Sequence, residues 1–261
     1  MVPSTSSAEG GGWAVMGRSH ALSGAVVWLS GCAVVTAASG ASPSVGTVVV
    51  GAAVMAGAAL FPDIDHPGST VARSLGPVTG LLAMGASTSA AALRAASCRC
   101  CTNKGGHRAL THTLAFALGM GAVVSLLCWL GGDIAAAIVA GLAATLAVRG
   151  SLSRRTRGTF GALAVGLVVA AMAALLPGPV AGWWWLGLPQ GLGCLVHSLG
   201  DALTYSRVPL LWPLRLAGCR WRPMGMWKPL RFRTGSTVEL LIVVPALFLL
   251  GGLSTWALIT I

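Results

Sequence analysis

Long apolar stretches, separated by short segments rich in glycine, proline, serine or charge, run through most of the chain. Each stretch is about 17–23 residues long, enough for an α-helix to cross a hydrocarbon core of about 30 Å. The strands of a membrane β-barrel would be shorter and would alternate apolar and polar residues. The stretches that predict spanning helices are 20–38, 45–61, 112–130, 133–149, 159–176, 183–200 and 237–259. We therefore expect an all-α fold, a polytopic transmembrane helical bundle of about seven spans.

Segment 76–93 is also apolar, but it is diluted by glycine, serine and threonine. If this segment does not cross the membrane, the spans on either side of it return every cluster of acidic and histidine residues to one face. If it does cross, His107 and His112 lie on the face opposite Asp63, and no shared site can form. We therefore predict an interfacial or half-buried helix for this segment.

Composition supports the membrane assignment, because 55% of the residues are hydrophobic, 9% are charged and the mean hydropathy is +0.81. A soluble globular domain has about 25% charged residues. The first fifteen residues are rich in serine and glycine and lack the basic start of a signal peptide. We expect a disordered tail over residues 1–15 and a single transmembrane domain over residues 16–261.

The chain carries 17 lysines and arginines against six acidic residues, a net charge of +11. With segment 76–93 kept from crossing, all the basic residues fall on one face, at 18, 73–108, 149–157 and 207–233. Basic loops mark the cytoplasmic side, which predicts a multi-pass cell-membrane protein with a cytoplasmic N-terminus and an outer C-terminus. Anionic membrane lipids are the expected partners of the basic face, and nucleic acid is not expected.

Histidines and acidic residues are scarce, with five of the former and six of the latter. Most of them lie in short clusters at the ends of apolar segments. The clusters are His20; Asp63, Asp65 and His66; His107 and His112; and His197 and Asp201. Ionisable groups are costly in a membrane and usually functional, and histidine and aspartate are common ligands of divalent ions. The pattern predicts a metal site at a membrane surface.

The acidic cluster lies between two prolines, in the sequence Pro62-Asp63-Ile64-Asp65-His66-Pro67. Two carboxylates and an imidazole suit a hard or borderline divalent cation. His197 and Asp201 are four residues apart, so both lie on one face of a helix. There they can bind one ion together or simply hydrogen-bond to each other.

His107 and His112 are five residues apart and point in different directions if both are helical. One is therefore expected to bind metal, and the other either to support a ligand from behind or to act as an acid–base group. Arg108 is suited to grip a phosphate or carboxylate, although interfacial arginines commonly only set topology. Glu239 follows Ser236 in the pattern of a helix capping box, so capping is favoured for it, with metal ligation as a possible additional role.

These motifs, in this order, resemble the YdjM-like family of membrane-bound proteins, which are regarded as metal-dependent hydrolases. The resemblance runs from about His20 to Glu239, and it implies a single hydrolase-like domain over residues 16–261. The metal and catalytic residues that it implies are His20, Asp63, Asp65, His66, His107, His112, His197 and Asp201. The long stretch from Val71 to Gly106 departs from the family's pattern.

We therefore predict an integral membrane hydrolase that uses metal-activated water at the cytoplasmic face. Its expected substrate is an ester or phosphoester bond of a lipid or lipid-linked molecule. The expected cofactor is one or two divalent metal ions, zinc first, with manganese or iron as alternatives. The predicted ligands are His20, Asp63, His66, His112, His197 and Asp201, and the predicted catalytic residues are Asp65, His107 and Arg108.

Two other functions fit the same residues. Intramembrane histidines and aspartates also mark the metal or proton pathways of transporters, although a pathway needs ligands near the middle of the membrane. The basic segment from Arg207 to Arg233 has Trp212, Trp221 and Trp227 interleaved. A membrane-anchored binding module without catalysis would use this segment to bind a cytosolic partner.

Overall fold

The computed structural model describes residues 9–74, 76–98, 107–151, 159–176 and 182–260. The helices are α1 (Glu9–Ser39), α2 (Val45–Ala58), α3 (Pro77–Ser97), α4 (Leu114–Ser151), α5 (Thr159–Leu175), α6 (Gly187–Ala202) and α7 (Val244–Thr260). Within the described ranges the chain forms isolated β-bridges but no strand, so the all-α prediction is confirmed. Residues 1–8 of the predicted tail lie outside the described residues, and α1 begins at Glu9.

In the described part of the chain, four helices are long and apolar enough to cross a membrane, fewer than the seven or so expected. They are Gly17–Ser39, Val45–Asp65, Leu114–Ser151 and Glu239–Thr260. The expected spans 112–130 and 133–149 fall in the single helix α4, which explains part of the difference. The rest comes from α5, which is apolar but has only 17 residues, and from α6, which has 16 residues and is not among the apolar helices either.

Helix α4 reverses its direction at Gly132. This residue has φ 53° and ψ −140°, a conformation in which only glycine is unstrained. Met120 and Leu146 would be about 39 Å apart along a straight helix, yet they line the same cavity. The two arms of α4 therefore run antiparallel, and Gly150 at the end of the second arm packs against Leu60, close to the acidic cluster.

Small residues allow the helices to approach one another closely. The largest buried apolar cluster consists of Val50, Val54, Val124, Cys128, Ala136, Ala140, Ala143, Ala144, Val169, Ala173, Trp183 and Leu186. A methyl group at Gly57 of α2 would lie 2.2 Å from the carbonyl oxygen of Ala143 in α4. Likewise, one at Gly193 of α6 would lie 2.7 Å from the carbonyl oxygen of Met55. Close packing of small residues is typical of helices that associate within a membrane.

The outer surface of the bundle is strongly apolar. Phe160 is 89% exposed and Ile134 is 76% exposed, and Leu167, Phe248 and Ile259 are also exposed. Extensive exposed apolar surface marks contact with a membrane or with another protein. Together with the four apolar helices, it supports the membrane assignment.

Helix α3 lies at the end of the bundle that carries the acidic cluster. It begins at Pro77 after Gly76, which has φ +60°. Ala83 packs in a cluster with Leu60 and Ile64, and Ala90 packs with Ala109 and Trp221. This helix, which covers the segment 76–93, is not among the four candidate spans.

Residues 203–238 fold back over the same end of the bundle. The amide of Met226 donates to the carbonyl of Ala202, and the amide of Leu114 donates to the carbonyl of Leu210. Trp221 is 1% exposed and donates from Nε1 to Ser97 Oγ of α3, and Trp212 stacks on it. Two of the tryptophans that suggested a partner-binding segment are therefore packed inside the protein, whereas Trp227 is 73% exposed.

Candidate metal centre

Four side chains from separate parts of the sequence converge on one point. Asp63 lies in a 3₁₀ turn, Phe61–Asp65, that follows α2, and His112 ends a second 3₁₀ turn, Leu110–His112, that precedes α4. His197 and Asp201 lie on one face near the end of α6. His112, His197 and Asp201 are fully buried, and the side chain of Asp63 is 20% exposed. The structure thus brings together three of the predicted clusters.

The distances between these groups suit a single divalent ion. His112 Nε2 lies 3.2 Å from His197 Nε2, 3.3 Å from Asp201 Oδ2 and 3.7 Å from Asp63 Oδ1. His197 Nε2 lies 3.6 Å from Asp63 Oδ1 and 3.8 Å from Asp201 Oδ2. Ligands about 2.0–2.2 Å from a tetrahedral ion are about 3.3–3.6 Å apart. Asp201 Oδ2 also lies 3.0 Å from Nε of Arg108, so this buried oxygen is shared between the guanidinium and the group of candidate ligands.

Hydrogen bonds on the far side of each imidazole set its orientation. His197 Nδ1 is 2.8 Å from the carbonyl oxygen of Ala59, which can only accept, so Nδ1 carries the proton. Thr111 Oγ1 donates its one hydrogen to Asp65 Oδ2 at 2.7 Å and therefore accepts from His112 Nδ1 at 2.9 Å. Both Nε2 atoms consequently face the carboxylates of Asp63 and Asp201. Histidine ligands of metals are usually fixed in this way.

Thr111 and the carbonyl of Ala59 are the contributions to this arrangement that the sequence did not reveal. A backbone carbonyl leaves no signal in the sequence. The position of Thr111, directly before His112, was the available indication of its role.

Asp65 supports the ligands from behind. It is fully buried and accepts from three donors, namely His107 Nδ1 at 2.8 Å, the Arg108 amide at 3.0 Å and the Thr111 hydroxyl. These contacts join the loop from 107 to 112 to the 3₁₀ turn Phe61–Asp65. Asp65 contacts His107 directly and His112 through the Thr111 hydroxyl.

His107 and Arg108 lie at the edge of the centre. The side chain of His107 is 34% exposed, and its ring is perpendicular to that of His112 at 6.0 Å. Arg108 has φ +54°, a conformation that costs about 1–2 kcal/mol outside glycine. This conformation lets its amide face Asp65 while its guanidinium pairs with Asp201, with Nη2 3.1 Å from Oδ1.

His20 lies on the other side of His197. The two rings stack at 4.0 Å, and His20 Nε2 is 3.6 Å from Asp201 Oδ1. His20, His197 and Asp201 form a second group of converging ligand atoms beside the group of Asp63, His112 and His197. The two groups share His197, so His20 fits either the edge of one ion's coordination shell or a second ion.

His66 and Glu239 lie outside both groups in the described residues. The ring of His66 contacts that of His107 at 4.8 Å, and its Nδ1 accepts from the Gly68 amide. Glu239 is buried and accepts from the Gly235 amide and from Ser19 Oγ in α1. The Ser236 hydroxyl forms no hydrogen bond in the described structure. The expected capping box is replaced by a link between α1 and the π-helical turn Glu239–Val243, which leads into α7.

The electrostatics of the centre favour a positive charge between the carboxylates. Burial alone would lower the pKa of His112, but hydrogen bonds with Asp201 and Asp63 outweigh it and raise the pKa to about 9. A proton or a metal ion is therefore held at Nε2 of His112. The proton and the ion compete for the same position.

The fold and the site define a polytopic helical membrane protein with a buried histidine and aspartate cluster at one end of its helices. A family model described as YdjM inner membrane protein matches residues 15–258, so the chain belongs to the YdjM inner membrane protein family. This confirms the resemblance found in the sequence motifs. Searches of curated proteins and of solved structures found no match.

Proposed function

We propose that this protein is a metal-dependent hydrolase that acts at the cytoplasmic face of the membrane on a lipid or lipid-linked ester or phosphoester. The observation that carries the proposal is that the Nε2 atoms of His112 and His197 lie 3.2 Å apart and that each lies 3.3–3.8 Å from a carboxylate oxygen of Asp63 and one of Asp201. Two nitrogen and two oxygen donors suit zinc, and manganese or iron as alternatives. A divalent ion held there would supply Lewis acidity and lower the pKa of water to about 7.

The surrounding residues have distinct roles in this proposal. Asp63, His112, His197 and Asp201 hold the ion, and His20 completes the shell or helps to hold a second one. His107, which is partly exposed and held by Asp65, accepts and returns the proton of the attacking water. Arg108 exchanges its contact with Asp201 for the oxygens of the substrate, because a guanidinium binds phosphate in a bidentate manner.

The topology is part of the same proposal. The chain would cross the membrane about seven times, with the two arms of α4 counted separately on either side of Gly132 and with the shorter helices α5 and α6 also crossing. Placing all the basic residues inside puts the metal centre and the N-terminus in the cytoplasm and the C-terminus outside. A reporter enzyme active only outside the cell, fused to the C-terminus, tests this orientation, and an inactive fusion of a well-expressed protein counts against it.

The position of the candidate ligands favours hydrolysis over transport. Asp63 lies at the end of one candidate span, and His112 immediately precedes another. Transporters place their ligands near the middle of the membrane, where access can alternate. Metal flux in proteoliposomes without any hydrolysis would reverse this preference.

The experiment that tests the proposed function measures metal and activity together. The protein is purified in detergent, its bound metal is determined by mass spectrometry, and hydrolysis of bis(p-nitrophenyl) phosphate and of phospholipids is followed with and without chelator. His197→Ala and Asp63→Ala should lose both metal and activity. Asp133→Ala, a matched change at an exposed position, should lose neither. Equal metal content in all four proteins would refute the metal centre.

A further inference from the structure

A cavity of about 310 Å³ lies between α1, α6 and α7, directly beside the metal centre. His20 and Asp201, two of the three residues in the second group of ligands, form part of its wall. A group bound against His20 and Asp201 is therefore next to the side chains that would hold metal.

The lining of the cavity changes from polar to apolar along α1 and along the last helix. On α1, Ser19 and His20 are followed by Val27, and on the last helix Glu239 is followed by Val243 and Leu247. At the end of α6, Asp201 lines the cavity between the apolar Leu199 and Leu203, so this helix shows no such change. The distances from Ser19 to Val27 and from Glu239 to Leu247 correspond to about 12 Å of helix. The cavity is therefore an elongated space with one polar end and one apolar end.

The polar end is rigidly built. Glu239 is 4% exposed, and its two oxygens accept from Ser19 Oγ at 2.5 Å and from the Gly235 amide at 2.7 Å. His20 is held by its stacking on His197. These contacts fix the polar end in place, so the cavity is formed without a ligand.

We infer that this cavity binds the single hydrocarbon chain of a lipid phosphate and presents the phosphate to the metal centre. Two of its walls belong to the candidate membrane spans Gly17–Ser39 and Glu239–Thr260, so hydrocarbon chains are the apolar groups that surround these helices. Ligand pockets usually measure about 300–1,000 Å³, and a volume at the lower limit suits one chain rather than two. The guanidinium of Arg108, which contacts Asp201, matches a phosphate head.

This inference rests on the proposed function and names its substrate class. In the reaction, the oxygen of water bonds to phosphorus and the bond between phosphorus and the chain-bearing oxygen breaks. One hydrogen of the water passes to that oxygen, so the products are a long-chain alcohol and inorganic phosphate. No oxidant, reductant or second substrate is required.

Photo-crosslinking tests the chain site without relying on activity. The probe is dodecylphosphonate with a diazirine on its chain, which the proposed reaction cannot hydrolyse because it has a P–C bond. It is irradiated with the metal-loaded protein in nanodiscs, and the labelled residues are mapped by mass spectrometry. We expect labels on Val27, Val243 and Leu247, removed by excess dodecylphosphonate but not by inorganic phosphate. Equal labelling of the outward-facing Val34 and Phe248, or no competition, would show only surrounding lipid and overturn the inference.

A pair of matched variants sharpens the test. Val243→Phe fills the cavity and should reduce specific labelling by about tenfold, whereas Val34→Phe, the same change at a position that is 66% exposed on α1, should leave it unchanged. Bound metal serves as the folding control in both. Unchanged labelling in a metal-bound Val243→Phe protein would overturn the inference.

The inference and the proposed function fail in different ways. Specific labelling of the cavity, with no metal-dependent hydrolysis of dodecyl phosphate, bis(p-nitrophenyl) phosphate or phospholipids, would support the chain site and refute the hydrolase. Metal-dependent hydrolysis of bis(p-nitrophenyl) phosphate, with no specific labelling of the cavity, would support the hydrolase and refute the chain site.

Discussion

His112 and His197 present their Nε2 atoms to each other at 3.2 Å, while each holds its Nδ1 on a protein oxygen. The two residues are 85 positions apart and come from different elements, so the fold alone brings them together. Two neutral imidazoles in this arrangement direct lone pairs at the same point, which the carboxylates of Asp63 and Asp201 also face. These lone pairs and carboxylates repel one another, and a cation bound between them would remove that repulsion.

The competition between a proton and a metal ion predicts how metal affinity depends on pH. His112 has a pKa of about 9 in the metal-free protein, raised from 6.5, so between these values it must lose a proton to bind metal. Zinc affinity should therefore increase by about tenfold per pH unit between pH 6.5 and pH 8.5. Competition with a chelator of known affinity measures it, and a constant zinc affinity over this range would contradict the assignment of His112.

The metal-free protein should show the opposite trend. A histidine whose pKa is raised by folding adds stability that is complete below its unfolded pKa of 6.5 and is lost as the pH rises through about 9. Thermal unfolding of chelator-treated protein across this range provides the control. Zinc affinity and the stability of the metal-free protein should therefore change in opposite directions with pH, because His112 binds either the proton or the ion.

The convergence of the clusters on one face could be predicted from the sequence, because counting the spans fixes which helix ends lie together. The spacing of His197 and Asp201 also placed both residues on one side of a helix, as observed. The outcome for His66 could not be predicted. The 3₁₀ turn Phe61–Asp65 directs Asp63 and Asp65 to different partners and leaves His66 beside Gly68.

Other features depend on contacts between distant residues and leave no local signal. Glu239 accepts from Ser19, 220 positions away, whereas the local pattern predicted only a capping box. The break predicted between the spans 112–130 and 133–149 coincides with the reversal of α4 at Gly132, so this feature did leave a local signal. The predicted span 183–200 is only partly α-helical, because Trp183–Leu186 forms a 3₁₀ turn before α6 begins at Gly187. Hydrophobicity alone does not report that change.

Thr111 should matter for metal binding although it is not a ligand. Thr111→Val removes the hydroxyl that links Asp65 to His112, which should weaken zinc binding by about 10–100-fold. Thr111→Ser should restore it, because serine keeps the hydroxyl. Thr145→Val is the matched control, since the hydroxyl of Thr145 binds only the carbonyl of Gly141 in its own helix. Equal zinc affinity in the two valine variants would exclude the supporting role.

The sequence predicted that His66 binds metal, and the geometry of the site predicts that it does not. His66 Nδ1 accepts from the Gly68 amide, and the residue belongs to neither group of converging ligands in the described structure. We therefore expect His66→Gln to retain its zinc under conditions in which His197→Gln loses it. Metal analysis of the two purified variants decides the matter, and loss of zinc from both would restore His66 to the ligand set.

The proposed proton transfer assigns a different phenotype to His107. Glutamine cannot carry a proton but keeps a polar group near Asp65, so His107→Gln should lower kcat by about 10²–10⁴-fold while metal content stays unchanged. The same change at His66, whose ring contacts that of His107, should have a much smaller effect on kcat. A His107→Gln protein with full activity would remove this residue from the mechanism.

The close contact between α2 and α4 should limit stability independently of the metal. A methyl group at Gly57 would lie 2.2 Å from the carbonyl oxygen of Ala143, so Gly57→Ala must push the two helices apart. Overpacking of this kind typically costs about 1–3 kcal/mol. Gly31→Ala in α1 meets no atom within 4 Å and should be neutral or stabilising by about 0.5–1 kcal/mol. Thermal unfolding of both variants in detergent measures the difference. Unchanged stability of Gly57→Ala would mean that the two helices do not pack in this register. Because Ala59 and Asp63 lie two and six residues after Gly57 in the chain, a destabilised Gly57→Ala protein should also bind zinc more weakly.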